Sequence, residues 1–118
     1  MGLQPGSTIT VLETTGNDTI LLGRAKHAVN ANLATGVITD TAGNQVLITS
    51  GQVENMDGSG FNDTILGNAS DNVLFGGPGN DVLNGGAGND TYFMIAGGTD
   101  VITDSGGIDT LDFSRTTA

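Results

Sequence analysis

Two adjoining nonapeptides, GGPGNDVLN at Gly76–Asn84 and GGAGNDTYF at Gly85–Phe93, constrain this chain more than any other feature. Each has glycine at its first, second and fourth positions, aspartate at the sixth and a large apolar or aromatic residue at the eighth. A glycine-bent turn therefore feeds a very short strand. The eighth-position phase runs far beyond these two units. Counted back in nines it passes through Tyr92, Leu83, Leu74, Ile65, Met56, Leu47, Ile38, Val29, Ile20 and Val11, all apolar save the amphipathic tyrosine. With 36% of residues hydrophobic, chance does not produce that run. After Tyr92 the phase slips by one residue and resumes at Ile102 and Leu111, which predicts a one-residue bulge or a widened turn near Met94.

A unit of turn plus strand is half a coil, so two units close one turn and successive coils stack as parallel strands. The fold class is all-β, a right-handed parallel β-roll (β-solenoid) of nonapeptide half-coils, with the eighth positions pointing inward from two facing sheets. About six coils make a stubby rod roughly 30 Å long. The middle of the chain, from Arg24 to Asn55, keeps the apolar phase, but its sixth positions are His27, Gly36, Gln45 and Glu54. It reads as solenoid-like and strand-rich; the alternative is a small hairpin insertion using turns such as Ala42-Gly43-Asn44. Residues 1–57 are thus expected to form a strand-rich N-terminal solenoid part with few or no cation-binding turns, and residues 58–118 the cation-binding roll.

Thirteen acidic residues against three Lys and Arg give a formal charge of −10, which repels phosphate backbones and anionic membrane surfaces. Nucleic acid and membrane insertion are excluded as partners, and cations are the natural ones. Nine of the eleven aspartates lie from Asp57 onward, whereas Arg24, Lys26 and His27 form the one basic cluster. There is no cysteine, so neither disulfides nor thiolate sites can staple a chain with one Tyr, four Phe and no Trp. No stretch has the length of a membrane span, and no signal peptide opens the chain. The expectation is a module cut from a larger parent chain.

The pattern GGxGxDxUx, where U is large and apolar, resembles the calcium-binding repeat of the RTX (repeats-in-toxin, hemolysin-type) family, found in the β-rolls of serralysin-like proteases, RTX toxins and adhesins. The stretch VNANLATGVITD followed by VENMDGSGFNDTILGN resembles the segment that often leads into such repeats. In such a roll, turns eighteen residues apart stack directly. Asp63 then lies under Asp81 and Asn72 under Asp90; after the slip, Asp81 lies under Asp100 and Asp90 under Asp109. The resemblance implies Ca²⁺, about four ions, held between stacked turns, since the ion wants about six to eight hard oxygens and one turn cannot supply them. It implies carbonyls from Ser59 and Phe61 below with Gly76 and Pro78 above, and from Asn68 and Ser70 with Gly85 and Ala87. For the last two sites it implies Gly77 and Gly79, then Gly86 and Gly88. Asn72 departs from the pattern by replacing an aspartate, so its site is expected to be weaker or to recruit Asp71.

Nothing in the chain points to catalysis. There is no GxGxxG, GxxxxGK[ST] or GxSxG, and no EF-hand loop. Asp104, Asp109 and Asp112 lack the aromatic platform that carboxylate pairs acting on sugars use, and read as calcium ligands or turn caps. The resemblance implies a structural calcium-binding module of a secreted bacterial protein, exported by type I secretion, folding in extracellular calcium and stabilising its host, and not an enzyme. The alternative is a surface-binding solenoid that takes polysaccharide, an adhesive target or ice. The broken rank of third positions, Thr15, Gly60, Ala69, Pro78 and Ala87, argues against ice.

Overall fold

The structure is a computed structural model that describes residues 8–11, 18–23, 25–48 and 53–115; Arg24 and Thr15 fall outside them. Every regular element among the described residues is a strand. From residue 55 onward each apolar eighth position sits at the centre of a three-residue strand: β6 (Asn55–Asp57), β7 (Thr64–Leu66), β8 (Val73–Phe75), β9 (Val82–Asn84), β10 (Thr91–Phe93), β11 (Val101–Thr103) and β12 (Thr110–Asp112). These strands alternate between two sheets and pair in parallel with the strand two units away, which is the β-solenoid the nine-residue period predicts. One inward rank aligns Met56, Leu74, Tyr92 and Leu111; the facing rank aligns Ile65, Leu83 and Ile102. Met56, Ile65, Leu74, Leu83 and Tyr92 are fully buried, so one layer of side chains between the sheets makes the core. Leu111, in an edge strand, is 52% exposed.

The phase slip is a widened turn. Residues 94–100 between β10 and β11 form a connection one residue longer than 85–90 between β9 and β10, while β11 stays paired with β9 along its whole length. Gly97 and Gly98 absorb the extra residue with φ of 92° and 81°.

The N-terminal part departs from the expected run of parallel coils. Strands β3 (Val29–Asn32), β4 (Val37–Asp40) and β5 (Gln45–Ile48) form an antiparallel meander, with β1 (Thr8–Val11) parallel to β5 at its far edge. This is the hairpin alternative, and local side-chain chemistry explains it. Asn32 accepts from the backbone N–H groups of Ala34 and Thr35 at 3.0 and 3.1 Å, and Gly36 closes that reversal at φ 76°. Asp40 accepts from the N–H groups of Ala42 and Asn44 and from the Asn44 side chain, with Gly43 at φ 87°. These Asx turns reverse the chain where a six-residue repeat turn would carry it onward. Register shifts accordingly: Ala31, not Val29, aligns with Ile65, and Val46, not Leu47, aligns with Ile38. Strand β2 (Thr19–Leu21) pairs directly with β6, so the segment between them adds an extension to one sheet and the roll has fewer coils than six.

Candidate metal centre

Stacked turns are joined by a ladder from each sixth-position side chain to the main chain of the turn below. The Asp81 Oδ1 accepts from the Asp63 N–H at 2.8 Å, and the Asp90 Oδ1 accepts from the Asn72 N–H at 2.7 Å. Across the widened turn, Asp100 accepts from the Asp81 N–H and Asp109 from the Asp90 N–H, both at 2.9 Å. All four stackings expected from the sequence are therefore present. The ladder also reaches further down than the repeat suggested. Asp63 accepts from the Val29 N–H at 2.8 Å, and Glu54 Oε2 accepts from the Asp18 N–H at 3.1 Å. The recurrence of NDTIL at residues 17–21 and 62–66 is the signal that would have included Asp18.

The turns divide into two kinds. In the turn ending at Asp63, the second residue is Ser59, whose N–H donates to the Asp63 Oδ2 at 2.7 Å and whose hydroxyl donates to Oδ1 at 2.5 Å. In the turn ending at Asn72, the Asn68 N–H donates to the Asn72 Oδ1 at 3.0 Å, and the Asn72 amide donates to the Glu54 carbonyl at 2.7 Å and to the Asn68 side chain at 2.9 Å. Both side chains are satisfied by the protein alone. In the two GGxGND turns the second residue is Gly77 or Gly86, with φ of 87° and 93°, a conformation no non-glycine residue adopts among those described. There the Oδ2 atoms of Asp81 and Asp90 are buried and have no hydrogen-bond partner. Asp18 Oδ2 is the third such atom among the described residues.

Main-chain oxygens of one turn face the glycines of the turn stacked on it. A Cβ built on Gly77 would lie 2.8 Å from the Ser59 carbonyl, one on Gly79 would lie 2.8 Å from the Phe61 carbonyl, and one on Gly88 would lie 2.7 Å from the Ser70 carbonyl. Gly86 stands 3.1 Å over the Asn68 carbonyl by the same measure, and Gly98 and Gly107 stand over the carbonyls of Gly79 and Gly88 more closely still. From above, the Gly76 carbonyl approaches Gly58 beside the Asp63 carboxylate, and the Gly85 carbonyl approaches Gly67 beside Asn72. Pro78 and Ala87 occupy the exposed third positions of their turns. Only glycine permits this close stacking, which sets main-chain oxygens of one turn directly against the backbone of the next.

At the upper end Asp104, which lies outside the sixth positions, joins the stacked pair Asp90 and Asp109. Carboxylate oxygens of Asp90, Asp104 and Asp109 lie within 4.8 Å of one another. The buried Tyr92 hydroxyl donates to Asp104 at 2.5 Å and accepts from the Gly85 N–H at 2.7 Å. Asp71, the expected substitute for Asn72, accepts from the Asn89 N–H at 2.8 Å instead. It belongs to a second, exposed ladder of fifth-position Asx residues, in which Asn62 accepts from the Asn80 N–H and Asn80 and Asn89 accept from Thr99 and Ile108. The Asn-Asp pairs at residues 62–63, 80–81 and 89–90, with the reversed Asp-Asn at 71–72, are the legible trace of that ladder.

Burial lifts the Asp81 carboxyl to about 6; the Asp63 N–H opposes the rise, and the charges of Asp63 and Asp100 add to it. Burial also raises Asp90, with the nearby charges of Asp104, Asp109 and Asp71 pushing the same way against the Asn72 N–H. Asp63 is raised by burial against the donors of Ser59 and Val29. The site is thus an excess of partly dehydrated hard oxygens that resist carrying their charge. A divalent cation removes that conflict, and oxygen-only ligation by carboxylates and main-chain carbonyls is what Ca²⁺ takes. Residues 57–92 match the RTX calcium-binding nonapeptide repeat in four copies. No curated protein matches the chain.

Proposed function

With residues 57–92 carrying RTX calcium-binding repeats, we propose that the chain is the calcium-loaded β-roll of a larger secreted bacterial protein, folding after export where calcium is abundant and stabilising its host. The observation that carries this reading is the pair of buried, unpartnered Oδ2 atoms on Asp81 and Asp90 in the Gly-Gly turns. The carboxylates of Asp63, Asp81, Asp90, Asp100 and Asp109, with main-chain oxygens of the stacked turns from Ser59 to Gly88, would hold about four ions. The ions would supply positive charge and coordination in place of missing donors, so metal-binding free energy serves as folding free energy. Residues 58–118 form the calcium-responsive part in this reading and residues 1–57 its strand-rich base. The function is binding and structural, and any catalysis belongs to the parent protein.

Circular dichroism during a calcium titration tests the proposal. The expected result is a cooperative gain of β signal with a midpoint in the extracellular range of about 10⁻⁴–10⁻³ M, and weak substitution by magnesium, which insists on shorter octahedral contacts. A spectrum equally β-rich in chelator and in calcium would overturn it.

A further inference from the structure

Beyond residue 27 the chain has a single cationic side chain, Arg115. It follows β12, after the Asp112 Oδ1 that accepts from the Ser114 N–H at 2.8 Å. Its guanidinium carbon lies 4.0 Å from the centroid of the Phe93 ring and 4.8 Å from that of Phe75. Both distances are within the range at which a ring face attracts a cation. The two rings belong to one outward rank of the five-stranded sheet, in which Asp57, Phe75, Phe93 and Asp112 are register partners on β6, β8, β10 and β12. Adjacent strands set the rings about 4.8 Å apart, so one planar guanidinium covers both, with a carboxylate at either end of the row. Burial raises the Asp57 carboxyl and the charge of Arg115 draws it back, which places the same guanidinium within electrostatic reach of the far end.

We propose that the outer face of the five-stranded sheet is a guanidinium-binding surface whose ligand is Arg115, and that this contact clasps the last coil onto the coils beneath it. Its consequence lies at the upper end of the roll. Asp109 immediately precedes β12 and accepts from the Asp90 N–H, so seating Arg115 across β10 and β8 holds Asp109 in its place over Asp90. Arg115 is a positioning residue for the uppermost cation site, and in this respect the inference rests on the calcium reading above; the clasp itself rests on the ring contacts. Arginine suits the role better than lysine, because a flat guanidinium stacks on two rings at once and an ammonium does not.

The test uses the intact chain and the fluorescence of Tyr92, the sole tyrosine in a protein without tryptophan, whose side chain is buried inward from the centre of β10. Urea unfolding at saturating calcium is measured for wild type, Arg115→Ala, Phe93→Leu and the double variant, with Arg115→Lys as the conservative control and a calcium titration of each. Arg115→Ala is expected to lower the folding equilibrium constant about three- to tenfold, Lys to restore a minor part of it, and the double variant to fall well short of the product of the single losses. The calcium midpoint of Arg115→Ala rises in parallel. An unchanged equilibrium constant in Arg115→Ala, or singles that multiply in the double variant, would overturn the clasp. A wild type indifferent to calcium that still shows the Arg115–Phe93 coupling would leave the clasp standing and refute the calcium reading instead.

Discussion

A carboxylate oxygen sealed from water and left without a donor costs free energy at neutral pH until a cation meets it, and Asp81 and Asp90 each carry one. Asp63 does not, because Ser59 caps it twice. Asp81 also stands in the middle of its stack, bonded to Asp63 below and Asp100 above. Calcium titrations should therefore show a larger loss of affinity and cooperativity in Asp81→Ala than in Asp63→Ala. The second turn position decides which kind of turn forms. Gly77→Ser should bring that N–H back onto Asp81, as in the Ser59 turn, and weaken calcium binding by about 1–2 kcal/mol while raising residual structure in chelator. Asn72→Asp separates the two states of the roll. It removes the amide donor to the Glu54 carbonyl, costing about 1–3 kcal/mol without calcium. With calcium it supplies a missing charge and should tighten its site in the same titration.

At the scale of strands and turns, proton and calcium compete for the same oxygens. The Asp81 carboxyl is held at about 6 in the ion-free roll against an ordinary 3.8, so between these values the folded form binds a proton that the unfolded chain does not. Stability of the ion-free roll consequently falls as pH rises through that window, and the penalty from Asp81 is complete above about pH 6. Circular dichroism in chelator should show more β structure at pH 5 than at pH 7.5, whereas the calcium midpoint should rise as pH drops below 6. The stacking of these turns was legible in the sequence because a period of eighteen residues places sixth positions directly over one another, and the slip after Tyr92 was legible as a shift of the same phase. The meander was less so. An apolar residue every nine positions suits an antiparallel pair as well as a parallel one, and the deciding groups, Asn32 and Asp40 with their Asx turns, are polar residues outside that phase. The capping by Ser59 and Asn68 escaped for a related reason: the repeat shows where glycine is missing, but the N–H that returns to the sixth-position side chain is a property of the backbone.

Over the whole molecule, the roll divides into a part whose turns satisfy themselves and a part whose turns require an ion. The meander β3–β5 closes through Asp40, Asn44 and Asn32, and its apolar residues Val29, Ala31 and Ile38 are buried against the core. The coils from β8 to β12 contain both Gly-Gly turns, the acidic trio and the Arg115 contact, yet bury only a single layer of side chains between their sheets. A core that thin leaves much of the ordering cost of those coils uncovered, and ion binding is the term that can offset it. Amide hydrogen exchange on the intact chain, in chelator and in millimolar calcium, addresses this division strand by strand. Protection of β8 to β12 should be near absent in chelator and strong in calcium, while β3 to β5 change far less. Equal protection of β8 to β12 in both conditions would contradict the account.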